Sequence, residues 1–437
     1  MKPILDIVNG KNILILGFGR EGRSTYEFLK KYASDIKITV ADANDVSKNI
    51  PGGVELIWGK DYQKACKNFD LVIKSPGIVL EKDIKTDNIT SQTELFLKAF
   101  RDKTIGVTGT KGKSTVTTLL YHILENTRGN CLLLGNIGIP PLDVAGKIDK
   151  DTLCVFELSA HQMEYTHISP AVAVLINLRP EHLDHYGTYE KYVSAKENIF
   201  LWQKKDDCFI CGSELADQIK KSVSRLVRVS AENGGADVCL DGRSIVSKNG
   251  VLTVNDDDTL LVGKHNLFDI AVVYSVYRIF MSDDKAFKTA LKTYKPLPHR
   301  LEYIGTADGV RYFDDSISTI GETTINALKS VRDVGTVIIG GMDRGIDYTD
   351  LIEFLKTYKT ENIILIPDTG LRIKKELETT NTNLVLASDL EDAVKIAKQK
   401  TPVGKACVLS PAAASYGFFK NFEERGDAFK KYVFNDI

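Results

Sequence analysis

The stretch Lys103–Thr115, KTIGVTGTKGKST, constrains this chain more than any other. A short apolar run leads into glycines and then into Lys, Ser and Thr, the order of a strand, a phosphate-cradling turn and a helix N-terminus. Gly106, Gly109 and Gly112 let the backbone approach an anion, Lys113 supplies a point charge, and Ser114 offers a hydroxyl suited to Mg²⁺. The strict P-loop pattern has its first glycine at the position held here by Val107, so the stretch reads as a relative of the P-loop, with an ordinary β–α turn as the bland alternative. Val116, Leu119, Leu120, Ile123 and Leu124 follow at helical spacing, the apolar stripe of a helix packed on a sheet.

The surrounding chain has room for more than this module, since 437 residues correspond to about three domains of ordinary size. Basic and acidic residues balance at 57 and 58, so no global field recruits nucleic acid or an anionic membrane, and an anionic substrate must be held by local groups. The N-terminal MKPILDIVNGKNILILG reads as a first strand rather than a signal peptide, and no span is apolar enough for a membrane. Together with 7 scattered cysteines this predicts reduced thiols and a cytoplasmic protein. Cys208 and Cys211 form a lone CxxC that a strand would split between its faces, which favours packing over zinc or redox chemistry.

Residues 1–92 read as one β/α module. Asn12 to Leu16 is a strand, Gly17, Phe18, Gly19, Arg20 and Gly22 form the turn GFGREG, a helix runs through Leu29, and Asp42 closes the next strand. This is a dinucleotide-binding fingerprint with its acidic residue. A dinucleotide site, a nucleotide-sugar site and a close helix–strand turn are all compatible with it. The strand FDLVIK ends in Ser75-Pro76-Gly77, a turn with amides free to meet a ligand.

Residues 93–297 form a second module around the phosphate loop. Asn136 follows CLLLG and Glu157 ends TLCVFE, and parallel sheets collect their ligands at such strand ends. AVAVLINL then delivers Arg179, Glu181, His182 and His185 into a loop. A phosphate loop, a strand-end Glu and a loop His are suited to two divalent cations around a triphosphate. In the next helix Tyr189, Tyr192, Val193, Ile199 and Phe200 make an apolar stripe that Lys196 shares. A lysine on a buried face is paired or working, with snorkelling as the structural alternative. Residues 205–260 read as small antiparallel strands appended to the central sheet, and GKHNLFDIAVVY opens a helix with His265, Asn266 and Asp269 placed for base contact or capping.

Residues 298–437, beginning near Arg300 after YKPLPH, alternate strands and helices as another open parallel sheet, with a last helix expected from Phe418. Its polar residues again fall at strand ends: Asp314, Asp315, Ser316 and Thr319, then Asp343 and Arg344, then Ser410 and Ser415. The fold class is α/β with three domains: a Rossmann-like N-terminal domain, a central P-loop-type parallel-sheet ATPase domain with appended small strands, and a C-terminal Rossmann-like domain.

Taken in order, GVTGTKGKST, GNIGIP, FELSAHQME, EHLDHYGTYEKYVSAKENIF, GKHN, LPHRLE, FDDS and LSPAAASYGFFKNFEERGD resemble the motifs of the Mur ligase family over essentially the whole length. The resemblance implies an ATP-dependent amide ligase that works through an acyl phosphate in peptidoglycan precursor synthesis. Its partners would be UDP-N-acetylmuramoyl-L-alanine, ATP and glutamate, the D form ahead of the L form. It implies that Gly17, Phe18, Gly19, Arg20, Gly22, Asp42, Ser75 and Asn136 hold the UDP-sugar, and that Gly109, Thr110, Lys111, Gly112, Lys113, Ser114, Thr115, Asn266, Arg300 and Asp315 hold ATP. Lys113, Glu157, His182 and Lys196 would carry the catalysis, with Ser114, Glu157, His182 and a CO₂-derived carbamate on Lys196 around two Mg²⁺ ions. Thr319, Arg344, Ser415, Tyr416 and Phe422 would line the amino-acid pocket. A monomer without nucleic-acid or membrane partners is expected. Lys111, Asp269, Ile317 and Arg344 depart from residues common in such relatives. The rivals are a folylpolyglutamate-type ligase of the same fold, a nicotinamide oxidoreductase using GFGREG and Asp42, and a nucleotide-sugar-binding regulator.

Overall fold

Short apolar runs that end in glycine or a polar residue become parallel strands, because a strand covered by helices on both faces is apolar on both. The computed structural model describes residues 1–85, 87–377 and 383–435, and among these the strands gather into three sheets. The first is parallel, in the order Glu55–Trp58, Lys37–Asp42, Asn12–Leu16, Leu71–Lys74, Ile89–Thr90. Part of the stretch read as a first strand is instead a helix, Lys2–Val8, which buries Ile4 and Val8, and the strand begins only at Asn12. The glycine turn acts through size: a Cβ on Gly22 would lie 2.0 Å from the Gly17 carbonyl oxygen, so only glycine lets the helix Arg20–Tyr32 approach this closely.

In the second sheet the fully buried strand Thr104–Thr108 lies between Leu153–Glu157 and Val172–Leu175, all parallel. Three chain ends are thereby delivered beside the phosphate loop. The sheet continues in parallel through Cys208–Gly212 and Arg225–Ser230 to Val238–Asp241, and only the pairings of Ser244–Ser247 with Val238–Asp241 and with Gly250–Thr253 are antiparallel. The appended antiparallel strands are thus fewer than residues 205–260 suggested, because the helix Ala216–Lys221 provides the crossover that parallel neighbours need. Cys208 and Cys211 are buried in their strand, and all seven cysteines are free thiols.

The third sheet runs Glu302–Ala307, Val310–Asp314, Ala406–Leu409, Val334–Gly340, Asn362–Ile366, Asn383–Leu386. Its first pair is antiparallel, which corrects the expectation of a wholly parallel sheet. The cause is a hairpin at Asp308-Gly309, both with positive φ, a turn whose twist matches the paired strands. The last helix is Phe422–Phe434, four residues later than expected, where the Asn421 side chain accepts from the Glu424 N–H and caps it.

The described chain divides into two compact units, residues 1–258 with 268–292 and residues 259–267 with 293–437. The first holds the first two sheets and the second holds the third. No helix among the described residues is long and apolar enough to cross a membrane.

Candidate active site

The strand Thr104–Thr108 runs into the glycine loop, and the helix Lys113–Thr127 starts from Gly112 at φ +84°. A Cβ there would lie 2.9 Å from Asp269 Oδ1, so both backbone and space demand glycine. Burial holds the Asp269 carboxyl well above the usual carboxylate range. The N–H groups of the first helical turn have no carbonyl partners within the helix and favour an anion. Lys113 curls back so that Nζ donates to Thr110 O at 2.9 Å. Thr110 Oγ1 accepts from the Arg179 N–H at 2.9 Å and lies 3.0 Å from Tyr192 OH, while Lys111 Nζ pairs with Glu181 Oε1 at 2.7 Å.

Beside the loop stands Glu157, fully buried at the end of its strand. Oε1 accepts from Asn136 Nδ2 at 3.1 Å, but Oε2 is buried without a hydrogen-bond partner. Such an oxygen is costly unless something positive meets it. Lys196 is 1% exposed, and Nζ donates to Gly109 O at 2.7 Å and Thr108 Oγ1 at 3.2 Å, 5.0 Å from the centre of the Tyr192 ring. Burial, and after it the charge of Lys113, pushes the Lys196 ammonium well below its ordinary pKa. Its helix, Tyr189–Glu197, is shorter than the sequence stripe, and Ile199 and Phe200 fill the core from the turn beyond it.

The loop read from Arg179 to His185 is also shorter. It ends at His182, in the left-handed region at φ +55°, and Leu183–Tyr186 is a helical turn. This brings His182 and His185 to ring-centre distances of 5.0 and 4.3 Å from His161, which the sequence reading passed over. Burial, then His185 and His182, lowers His161 to about 4. His185 Nε2 lies 3.1 Å from Glu164 Oε2.

In the first sheet, the Phe18 N–H donates to Asp42 Oδ2 at 2.9 Å and Ser75 Oγ donates to Gly17 O at 2.9 Å, so Asp42 and Ser75 brace the glycine turn. Gly19, Arg20, Ser75 and Asn136 line one cavity of about 260 Å³. The Arg20 guanidinium donates to Gly138 O. Lys74 carried no motif signal, yet it is buried with Nζ donating to Ser75 O and Pro76 O, both at 3.2 Å, and burial pulls its pKa down to about 8.

The UDP-N-acetylmuramoylalanine–D-glutamate ligase of Koribacter versatilis is 32% identical to this chain over 98% of each, and the enzyme of that name from Clostridioides difficile is 31% identical over 98% of this chain and 99% of its own. The chain belongs to the Mur ligase family. Residues 11–95 match the MurD-like N-terminal domain of Mur ligases and residues 107–276 the Mur ligase middle domain. Mur ligases are ATP-dependent, amide-bond-forming enzymes that use Mg²⁺. The fold is shared with MurF of Thermotoga maritima in complex with ADP, at TM-score 0.61 and 17% identity over 99% of both chains. It is shared equally with the UDP-N-acetylmuramate–alanine ligase MurC of Thermotoga maritima, at TM-score 0.60 and 17% identity over 96% of this chain and 98% of that one.

The second unit of this Mur ligase carries its polar strand ends differently. Asp315 Oδ1 accepts from the Leu301 N–H at 3.1 Å, and Oδ2 accepts from Ser410 Oγ at 2.8 Å and from Ser318 Oγ. Burial, only partly offset by these bonds, raises Asp315 to about 7. Asp314 Oδ2 meets His299 Nδ1 at 2.7 Å. Arg425 is buried and donates to Ser316 Oγ, Ser316 O and Ala413 O at 3.0, 2.7 and 3.0 Å. Neither His299 nor Arg425 stood out in the sequence, because their partners lie far away along the chain. Arg344 Nη2 donates to Thr319 O at 3.0 Å, which joins two residues expected in the amino-acid pocket. Ser415 lines a cavity of about 230 Å³ with Gly340, Gly341 and Arg425, Tyr416 is exposed, and Phe422 opens the last helix with its ring 6.2 Å from that of His299. Asn266 Nδ2 donates to Val262 O at 2.6 Å, a local bond at the start of its helix.

Proposed function

We propose that this chain joins the alanyl carboxylate of UDP-N-acetylmuramoyl-L-alanine to the amine of D-glutamate, in the cytoplasm and as a monomer, within peptidoglycan precursor synthesis. The substrates are those named for relatives that match nearly end to end. The observation that carries the reading is the buried, unpartnered Oε2 of Glu157 beside a phosphate loop and an inward lysine. Residues 1–92 would bind the sugar nucleotide, 93–297 ATP and 298–437 the amino acid.

That oxygen and the buried amine of Lys196 fit a divalent cation. Ser114, Glu157, His182 and a carbamylated Lys196 would hold Mg²⁺, two ions in all, which would neutralise triphosphate charge. Carbamylation suits Lys196 because burial disfavours its ammonium form. The neutral nitrogen bonds the carbon of CO₂ and releases a proton, so a buried neutral amine becomes an anion able to meet metal.

In the reaction, the alanyl carboxylate attacks the γ-phosphorus and ADP leaves. The glutamate amine then attacks the acyl carbon of the acyl phosphate, and inorganic phosphate leaves as the amide forms. Charge spreads over oxygens in the first step, so fixed donors stabilise it most. Lys113, the helix start at Gly112 to Thr115 and Arg300 supply those donors, with Gly109 to Lys111 shaping the loop. Asn266 and Asp315 would seat adenine and ribose. Gly17 to Gly22, Asp42, Ser75 and Asn136 would seat the sugar nucleotide. Thr319, Arg344, Ser415, Tyr416 and Phe422 would seat glutamate, with the Arg344 guanidinium pairing to a carboxylate.

The test is phosphate release from ATP. It should require both UDP-N-acetylmuramoyl-L-alanine and D-glutamate, and run slower with L-glutamate. Release that ignores either substrate overturns the reading, and faster turnover of L-glutamate overturns the stereochemistry.

A further inference from the structure

We propose that Asn177 is a positioning residue that divides the phosphate loop into a strapped half and a working half. The inference rests on the ATP reading of that loop. Asn177 follows the strand Val172–Leu175, which pairs in parallel with Thr104–Thr108 so that Thr108 lies opposite Leu175. Both chains therefore leave the sheet side by side. Asn177 Oδ1 accepts from the Thr110 N–H at 3.1 Å and the Lys111 N–H at 2.9 Å, and Nδ2 donates to Lys111 O at 3.1 Å. The Asn177 backbone carbonyl also accepts from the Thr110 N–H, at 3.0 Å.

Glycine loops hold phosphate through backbone amides. Here the amides of Thr110 and Lys111 are already committed to Asn177, so the anion is left to the helix start from Gly112 onward and to Lys113. A carboxamide suits the task because it offers an acceptor and a donor in one plane and carries no charge beside the triphosphate. Fixing these peptides before nucleotide arrives removes reorganisation from the binding step. The strap also steadies the neighbouring Gly109 carbonyl, on which Lys196 Nζ rests.

The experiment compares wild type with Asn177→Ala, measuring ADP and UDP-N-acetylmuramoyl-L-alanine binding separately by calorimetry, with KM for ATP and Tm alongside. ADP affinity should fall roughly tenfold, equivalent to about 1.4 kcal/mol, and KM for ATP should rise with it. Sugar-nucleotide affinity and Tm should stay near wild type. Unchanged ADP affinity overturns the proposal. So does equal loss of both ligands with a collapsed Tm, which would make Asn177 a general support of the fold. If the alanine variant does not fold, Asn177→Asp keeps the volume and both acceptor bonds, and it should show the same nucleotide-selective loss because the donor is gone and a charge is added. ADP affinity at the wild-type level in that variant overturns the proposal. Wild type that fails to bind ADP would instead sink the ATP reading itself.

Discussion

The strand ends of the second and third sheets carry similar polar residues in opposite states. Around the phosphate loop Glu157 keeps a buried oxygen without a partner, and the hydrogen bonds of Lys196 go to neutral oxygens. In the second unit Asp314, Asp315 and Arg425 are just as buried, yet each is bonded to side chains or carbonyls of its own unit. Unmet buried charge is costly, and met buried charge is costly only to disturb. The first arrangement suits a site that awaits charged ligands. The second suits a frame that holds loops in place.

The contrast breaks most visibly at Lys196. Lys196→Ala should lower phosphate release roughly a thousandfold, the scale of removing a group that acts on transition-state charge, and short carboxylic acids should restore part of it. Lys196→Met should keep or raise Tm, since a desolvated amine gives way to a thioether chain. A Tm collapse in the methionine variant would place Lys196 with the frame instead.

Arg425→Met should do the reverse, with stability falling by about 3 kcal/mol because three buried acceptors lose their donor. Denaturant unfolding followed through the second unit reads it directly, and an unchanged midpoint would contradict a framing role. Gly112→Ala comes next in size. A non-glycine residue at φ +84° against Asp269 should raise KM for ATP roughly tenfold, with steady-state kinetics as the check.

A separate expectation concerns pH. The folded chain keeps the Asp315 proton up to about pH 7, whereas the unfolded chain releases it near 3.8. The folded state thus holds more protons across that window, so this group makes stability fall as pH rises from 3.8 to about 7. Asp315→Asn should flatten that part of the profile. Parallel Tm profiles for wild type and variant across the window would refute it.

The legible parts of the chain were those written locally. Glycine spacing at 17, 19 and 22 and at 109 and 112 announced close backbone approach, and strands ending in Asn136, Glu157 and Asp315 announced where ligands gather. Lys196 was legible as an inward lysine because a helix repeats its face every three to four residues. Lys2–Val8 was misread because a short apolar run fits a strand or a helix equally. Asp308-Gly309 did carry a hairpin signal, but the strong alternation of strands and helices after it masked an antiparallel edge. His161, Lys74, Asn177 and Arg425 carried none, since each takes its meaning from a partner on another element.

By itself the sequence determined the order of the β/α modules, the two glycine turns and the polar residues at the strand ends, because φ preference and hydrophobic period act over a few neighbouring residues. The tertiary structure alone decided which of those polar atoms are met and which are left waiting. Desolvation and hydrogen-bond supply come from atoms that the chain brings in from far away. Glu157 lies 50 positions after Val107, its register partner on one side, with Gly135 its partner on the other, and nothing in its local pattern shows that one of its oxygens ends without a partner.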